Sequence, residues 1–247
     1  MKNIAMRIMY DGSNYHGWQR QKNAITIQEV VEKALSETLS EEIQVNGCSR
    51  TDAGVHALEY IMNFGSETCI PIDKIPYTLN YKLGNDISVV DSWQVSKDFH
   101  ARFSSHGKEY VYKLWNSKLM NPFECKYSWH IPYKLNIESM IECAKYFIGT
   151  HDFAGFKGTR GDQITTVRTI RKCHVEIDPF RTESISITVE ADAFLYNMVR
   201  IIVGTIVAVG FGRIKPTDIQ TIIKSADRKR GGMTAPPQGL FLKKVLY

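Results

Sequence analysis

Along the first ten residues Ile4, Met6, Ile8 and Tyr10 alternate with Ala5, Arg7 and Met9, the period-two pattern of a strand with one buried face. The polar, glycine-containing run 11–21 (DGSNYHGWQRQ) ends that alternation and predicts a loop rich in polar and aromatic groups. Helical spacing then takes over. Thr26 followed by Glu29 reads as a capping box, and Ile27, Val30, Val31, Ala34, Leu35 and Leu39 share one face of the helix that follows. Short strands over 43–48 and 56–64 flank the segment SRTDAG, and a helix over 72–83 and a strand over 87–95 complete a βαββαβ order.

After a polar stretch at 104–107 the same order recurs: a strand at 110–115, a helix at 137–148, and a strand ending at Val175 and Ile177 before the turn signal Asp178-Pro179. Ile185, Ile187, Val189 and Ala191 make the clearest alternation in the chain, and helices over 194–209 and 217–224 precede a last strand at 239–246. Two βαββαβ runs without evident residue identity predict an α+β protein. Its two ferredoxin-like halves, 1–105 and 106–247, would join into one mixed, largely antiparallel sheet with helices on one face and an open cleft on the other. Such a cleft suits a large ligand such as folded RNA, although topology carries no chemistry by itself.

Composition narrows the partners. The chain has 247 residues, 43% hydrophobic and 23% charged, which is ordinary for a globular protein and excludes disorder. Lys and Arg exceed Asp and Glu by 31 to 26, a net charge of +5 that permits a polyanionic partner without demanding one. Cysteines at 48, 69, 125, 143 and 173 form an odd set with no CxxC pair, so neither a disulfide framework nor a zinc knuckle is expected and a reducing cytoplasm fits best. The N-terminus lacks the apolar stretch of a signal peptide, and the longest apolar run, 201–211, falls short of the ~20 residues that span a bilayer. No membrane role and no metal site are expected. Gly204 and Gly210, inside an apolar helix, predict close packing rather than a phosphate loop.

The densest polar segment is 47–58, GCSRTDAGVHAL. Read physically, it is a strand-to-strand loop that presents the carboxylate of Asp52, with Gly54 easing a tight turn. An Asp-x-Gly turn with Arg50 and His56 merely solvated beside it is the plain alternative.

The full string resembles the hallmark loop of the tRNA pseudouridine synthase A family, close to G-x-G-R-T-D-A-G-V-H-A around an essential aspartate. Segments 10–21, 98–105, 110–116, 149–156, 194–204 and 235–247 are similar to family segments in family order, so the resemblance covers nearly the whole chain. It implies that Asp52 attacks a target uridine at base or ribose, that the N-glycosidic bond breaks, and that uracil rotates and rejoins through carbon. No cofactor is implied, because bond breaking and making balance in oxidation state. Arg200, a charge inside the apolar string FLYNMVRIIVG, is implied to keep Asp52 ionised and oriented. Tyr110 would lie against the target base, and Arg50 would help displace the uridine from its stack.

Gln19, Gln21, Lys22, His100 and Arg102, with the run 227–230, are candidates for RNA-backbone contacts. The implied partner is tRNA, at uridines 38, 39 and 40 of the anticodon stem-loop, bound by a homodimer. Tyr60 stands where the family usually has glutamine, and Lys108 where arginine is common; a paralogue with other RNA targets is one rival reading. A non-catalytic RRM-like module is a second, though no KGFGFV-like string appears. A nucleoside hydrolase, which would release free uracil, is a third.

Overall fold

The computed structural model of the chain describes residues 1–159 and 165–247. The described chain divides into two compact units, Met1–His106 with Phe241–Tyr247, and Gly107–Leu240.

The first unit runs β1 (Lys2–Tyr10), α1 (Ile27–Leu39), β2 (Asn46–Gly47), β3 (His56–Ser66), α2 (Ile75–Lys82) and β4 (Ile87–Val95). β1 lies antiparallel between β4 and β3, and β2 lies antiparallel on the other side of β3. β1 and β2 thus run the same way with β3 between them, the split βαβ of a ferredoxin-like unit. Register decides which face is dry. Ile4 faces Phe64, Met6 faces Met62 and Ile8 faces Tyr60, and all six side chains are buried. On the other face Arg7 bonds Asp91 and reaches Glu59. α1 packs on α2 and α2 on β4, burying Ile27, Val31 and Leu35 of α1, as its 3.6-residue periodicity requires.

Two expectations shrink here. The strand expected at 43–48 survives only as Asn46–Gly47, because the Ile43 N–H donates to Ser36 Oγ and the Val45 N–H to Glu32 Oε1; α1 takes the donors a ladder would have used. The helix expected at 72–83 begins as a 3-10 turn, Ile72–Lys74, and becomes α2 only at Ile75, with Pro76 in the first turn where its missing N–H costs nothing.

The second unit runs β5 (Gly107–Asn116), β6 (Trp129–Ile131), α3 (Ile137–Lys145), β7 (Gly149–Asp152), β8 (Val167–Asp178), β9 (Arg181–Ala191), α4 (Met198–Gly210) and α5 (Ile219–Ser225). β9 lies antiparallel between β5 and β8, β7 extends β8, and β6 lies parallel to the end of β5. This is a second split βαβ. Tyr112, Ile187 and Val175 face one another across three strands and are buried. α3 packs on β8 and α4; a side chain at Gly210 would lie 2.7 Å from Met140 Sδ, the close packing expected of that glycine. β6 and β7 are absent from the sequence reading, since three or four residues carry too little alternation to register.

The last strand, β10 (Leu240–Leu246), pairs parallel with β3, Phe241 opposite His56 and Leu242 opposite Ala57. Residues 241–247 therefore cluster with the first unit, whereas the sequence reading gave all of 106–247 to the second half. Both units are α+β with mixed, largely antiparallel strand pairing, as expected.

Candidate active site

The loop 48–55 joins β2 to β3, and neighbouring backbone holds it. The Val55 N–H donates to Asp52 O, the Gly54 N–H to Tyr15 O, and the Trp18 N–H to Thr51 O. Gly54 has φ 77°, the left-handed turn position that favours glycine. Loop 11–18 lies directly on this turn. A Cβ at Gly12 would sit 2.0 Å from Val55 O, and one at Gly17 2.2 Å from Thr51 O, so only glycine allows the approach. Asp52 sits half-buried in this turn, next to Thr51, whose Oγ1 is 2.9 Å from Tyr10 OH. His56 is buried, its ring stacked on Phe241 at 4.6 Å. The Gly12 N–H donates to His56 Nδ1, and Asp11 Oδ1 lies 3.0 Å from the same nitrogen.

Tyr60 contributes in a way the sequence reading missed. It is fully buried, stacked under Trp18 at 4.0 Å, and its hydroxyl donates to Ser49 O. It braces the 48–55 loop from beneath, so the departure at this position is internal. The signal was only an aromatic at an inward strand position.

Beside the loop, wholly within the first unit, is an open cavity of about 850 Å³. Arg50, Gln19, Gln21, Lys22, His100 and Arg102 all line it, with Trp18 and Phe103; Asp52, two residues beyond Arg50, does not. The local structure constrains several of these groups. Gln19 Nε2 donates to Gln28 Oε1 at 2.9 Å and Gln21 Nε2 to His16 O at 2.9 Å. His100 Nδ1 accepts from the Arg102 N–H. Arg20 pairs with buried Glu32 at 2.6 Å, which also accepts from Gln28 and the Val45 N–H; Arg20 is thereby a brace. Phe103 was not singled out from sequence, yet it is 76% exposed, 4.4 Å from the His100 ring and beneath the Arg102 guanidinium, a flat aromatic surface with a cation on it.

In the second unit Arg200 leaves α4 half-buried rather than on a solvated stripe. Its Nε donates to Ala235 O at 2.7 Å and its NH1 to Asn197 Oδ1 at 3.0 Å, while the Ala235 N–H returns a bond to Arg200 O. Segment 231–235 is pinned to the helix. The Gly232 N–H donates to Thr205 Oγ1, Arg228 donates to Gly232 O and Thr234 Oγ1, and a Cβ at Gly204 would lie 1.8 Å from Met233 O. Within the run 227–230, Arg228 is therefore internal bracing and Asp227 caps Lys229, whereas Lys229 and Arg230 are exposed. α4 starts at Met198, later than the expected 194, because Asn197 is left-handed at φ 60°. Tyr110 is 6% exposed and meets Phe194 edge-on at 5.1 Å. Tyr112, on the same face of β5, donates to Pro236 O, and burial raises its phenol well above the ordinary tyrosine value. Lys108 is buried. Among the described residues no three His, Cys, Asp or Glu side chains converge as metal ligands, and no helix is long and apolar enough to cross a membrane.

A family model described as tRNA pseudouridine synthase matches residues 6–104 and 143–247. The tRNA pseudouridine synthase A of Thermoanaerobacter sp. (strain X514) is 49% identical over 247 residues, 100% of both chains. The tRNA pseudouridine synthase A 2 of Clostridium tetani (strain Massachusetts / E88) is 47% identical over 248 residues, covering 100% of this chain and 99% of its own. A solved structure described as an H/ACA RNP bound to a substrate RNA containing 2'-deoxyuridine matches with a TM-score of 0.39 and 14% identity over 83% of this chain and 44% of that one, a likeness too slight to bear on fold or function.

Proposed function

This chain belongs to the tRNA pseudouridine synthase family, and from that premise we propose that it isomerises uridines in the anticodon stem-loop of tRNA with Asp52 as nucleophile. The observation that carries this reading is the Asp52 turn. Loop 11–18 holds it through contacts that tolerate only glycine at 12 and 17, and the residue two before Asp52, Arg50, lines a broad cavity rich in basic and amide side chains. An ordered carboxylate two residues along the chain from a side chain that lines such a cavity suits attack on a displaced nucleotide.

An Asp52 oxygen adds to uracil C6 or ribose C1′, and the N1–C1′ bond breaks. Uracil turns so that C5 faces C1′, and the C5–C1′ bond forms. A carboxylate on C1′ leaves as that bond forms, whereas one on C6 is eliminated afterwards; the C5 proton is lost and N1 gains one. Redox state is unchanged throughout. Arg200, oriented by Ala235 O and Asn197 Oδ1, supplies positive charge for Asp52, and Tyr110 supplies an aromatic face to the base. Arg50 contacts the RNA as the nucleotide leaves its stack. Lys22, His100 and Arg102, with Gln19 and Gln21, take the backbone on either side. The working form is a cytoplasmic homodimer, which sedimentation of the pure protein checks. The buried positions of Tyr60 and Lys108 weigh against a paralogue with other targets.

The decisive experiment incubates pure protein with unmodified tRNA tritiated at uracil C5. Tritium release without free uracil, confined to the stem uridines, is expected; free uracil would mean hydrolysis. Asp52→Ala is expected to release none while binding tRNA within about twofold of wild type, since the residue acts on bonds rather than on affinity. Any turnover by that variant removes the nucleophile assignment.

A further inference from the structure

Asn197 stands at the start of α4 with φ 60° and ψ 6°, in the left-handed region where glycine is the least strained residue. Asparagine at the residue before a helix ordinarily spends its side-chain oxygen on the free N–H groups of the first turn. Asn197 makes no such cap bond; its Oδ1 accepts from Arg200 NH1 at 3.0 Å. The amide is boxed on its other side, since a Cβ on Gly158 would lie 3.0 Å from Asn197 Nδ2, and the Gly158 N–H is tied to Tyr196 O. The local structure thus forgoes both an easier backbone and a helix cap, and what it has instead is one oxygen aimed at one arginine.

The guanidinium is a rigid plane with donors at fixed angles. Ala235 O holds it at Nε and Asn197 Oδ1 at NH1, so two points fix the plane and its rotation. These two acceptors are neutral and add no negative charge of their own. An aspartate at 197 would tolerate the same backbone and keep an acceptor, but would place a full negative charge on Arg200.

We propose that Asn197 is a positioning residue that fixes the orientation of Arg200 for the reaction while adding no charge of its own. The inference rests on the reading above that Arg200 is the charge partner of Asp52. A structural role alone makes the opposite forecast: glycine should then serve as well as asparagine, and aspartate nearly as well.

The test compares single-turnover rates and tRNA dissociation constants for wild type, Asn197→Gly, Asn197→Asp and Arg200→Ala, with thermal unfolding to confirm that each is folded. Asn197→Gly is expected to lose about tenfold to a hundredfold in rate, the scale of a small misplacement at a reacting centre, with tRNA affinity within about twofold. Asn197→Asp is expected to fall at least as far, because it keeps the hydrogen bond and spends the charge. A wild-type rate for Asn197→Gly, or full activity for Asn197→Asp, overturns the proposal. If Arg200→Ala itself turns over normally, the Arg200 reading fails and this inference with it. An inactive Arg200→Ala beside a fully active Asn197→Gly sinks the positioning role alone.

Discussion

A basic side chain proposed to contact RNA either meets a ligand or braces the chain, and its nearest acceptors separate the two. Arg20 lines the cavity beside Lys22, Arg50 and Arg102 yet is committed to Glu32, and Arg228 is committed to Gly232 O and Thr234 Oγ1. Nothing in the local strings RQK or DRKR distinguishes these cases. The cysteines divide in the same way. Cys69 and Cys125 are exposed, while Cys48, Cys143 and Cys173 are buried. Burial pushes the Cys173 thiol up to about 12 and raises Cys143 further. The thiolate is the reactive form, so at pH 8 a thiol reagent is expected to label Cys69 and Cys125 quickly and the buried three only on unfolding. The sign for stability follows. Above the ordinary thiol value of ~8.5 the unfolded chain releases protons that the folded chain retains, so stability falls as pH rises. Urea midpoints measured between pH 8 and 10.5 should decline; a flat series would contradict the burial of these groups.

Individual elements show how far periodicity reaches. α1 was legible because its capping residue, its apolar stripe and its length all agree: Thr26 Oγ1 accepts from the Glu29 N–H and the buried positions fall on one face. The pattern could not show that its polar side reaches outward, with Glu32 and Gln28 tying down both Val45 and loop 18–20; that is why the neighbouring strand is two residues long. α4 is the converse case. Its apolar string and glycines predicted a packed helix from 194 onward, and nothing in that string gave a sign of a left-handed Asn197. Gly204→Ala probes this element: the added methyl would meet Met233 O, and overpacking against backbone costs about 1–3 kcal/mol. Because Ala235 rides on the same segment and holds Arg200, activity should fall by more than the stability loss explains. Chemical denaturation and single-turnover rates on the same preparation check this, and a destabilised but fully active variant would break the link.

For the molecule as a whole, a net charge of +5 is modest, and what matters for a polyanion is where the charge gathers. Lys22, Arg50 and Arg102 share one cavity wall system although up to 80 residues separate them in the chain. Phosphate contacts release counterions, so affinity for tRNA should fall linearly in log Kd against log salt. Arg102→Ala is expected to reduce that slope by about one, with the rate on bound tRNA unchanged; an unaltered slope would remove Arg102 from the RNA contacts. The sequence by itself determined the α+β class, the sheet strands with strong alternation, the amphipathic and apolar helices, and the RTDAG loop with its family, because burial periodicity and a contiguous motif are local properties that survive in one dimension. Only the tertiary structure decided that β10 joins β3, that Tyr60 supports the Asp52 loop, and that Arg200 is gripped by Asn197 and Ala235. Each of these is a pairing between a donor or strand edge and a partner whose identity depends on the path of the chain. Tyr112 and Pro236, bonded across 124 residues, make the reason plain: a hydrogen bond selects its partner by position in space, and distance along the chain carries no record of that position.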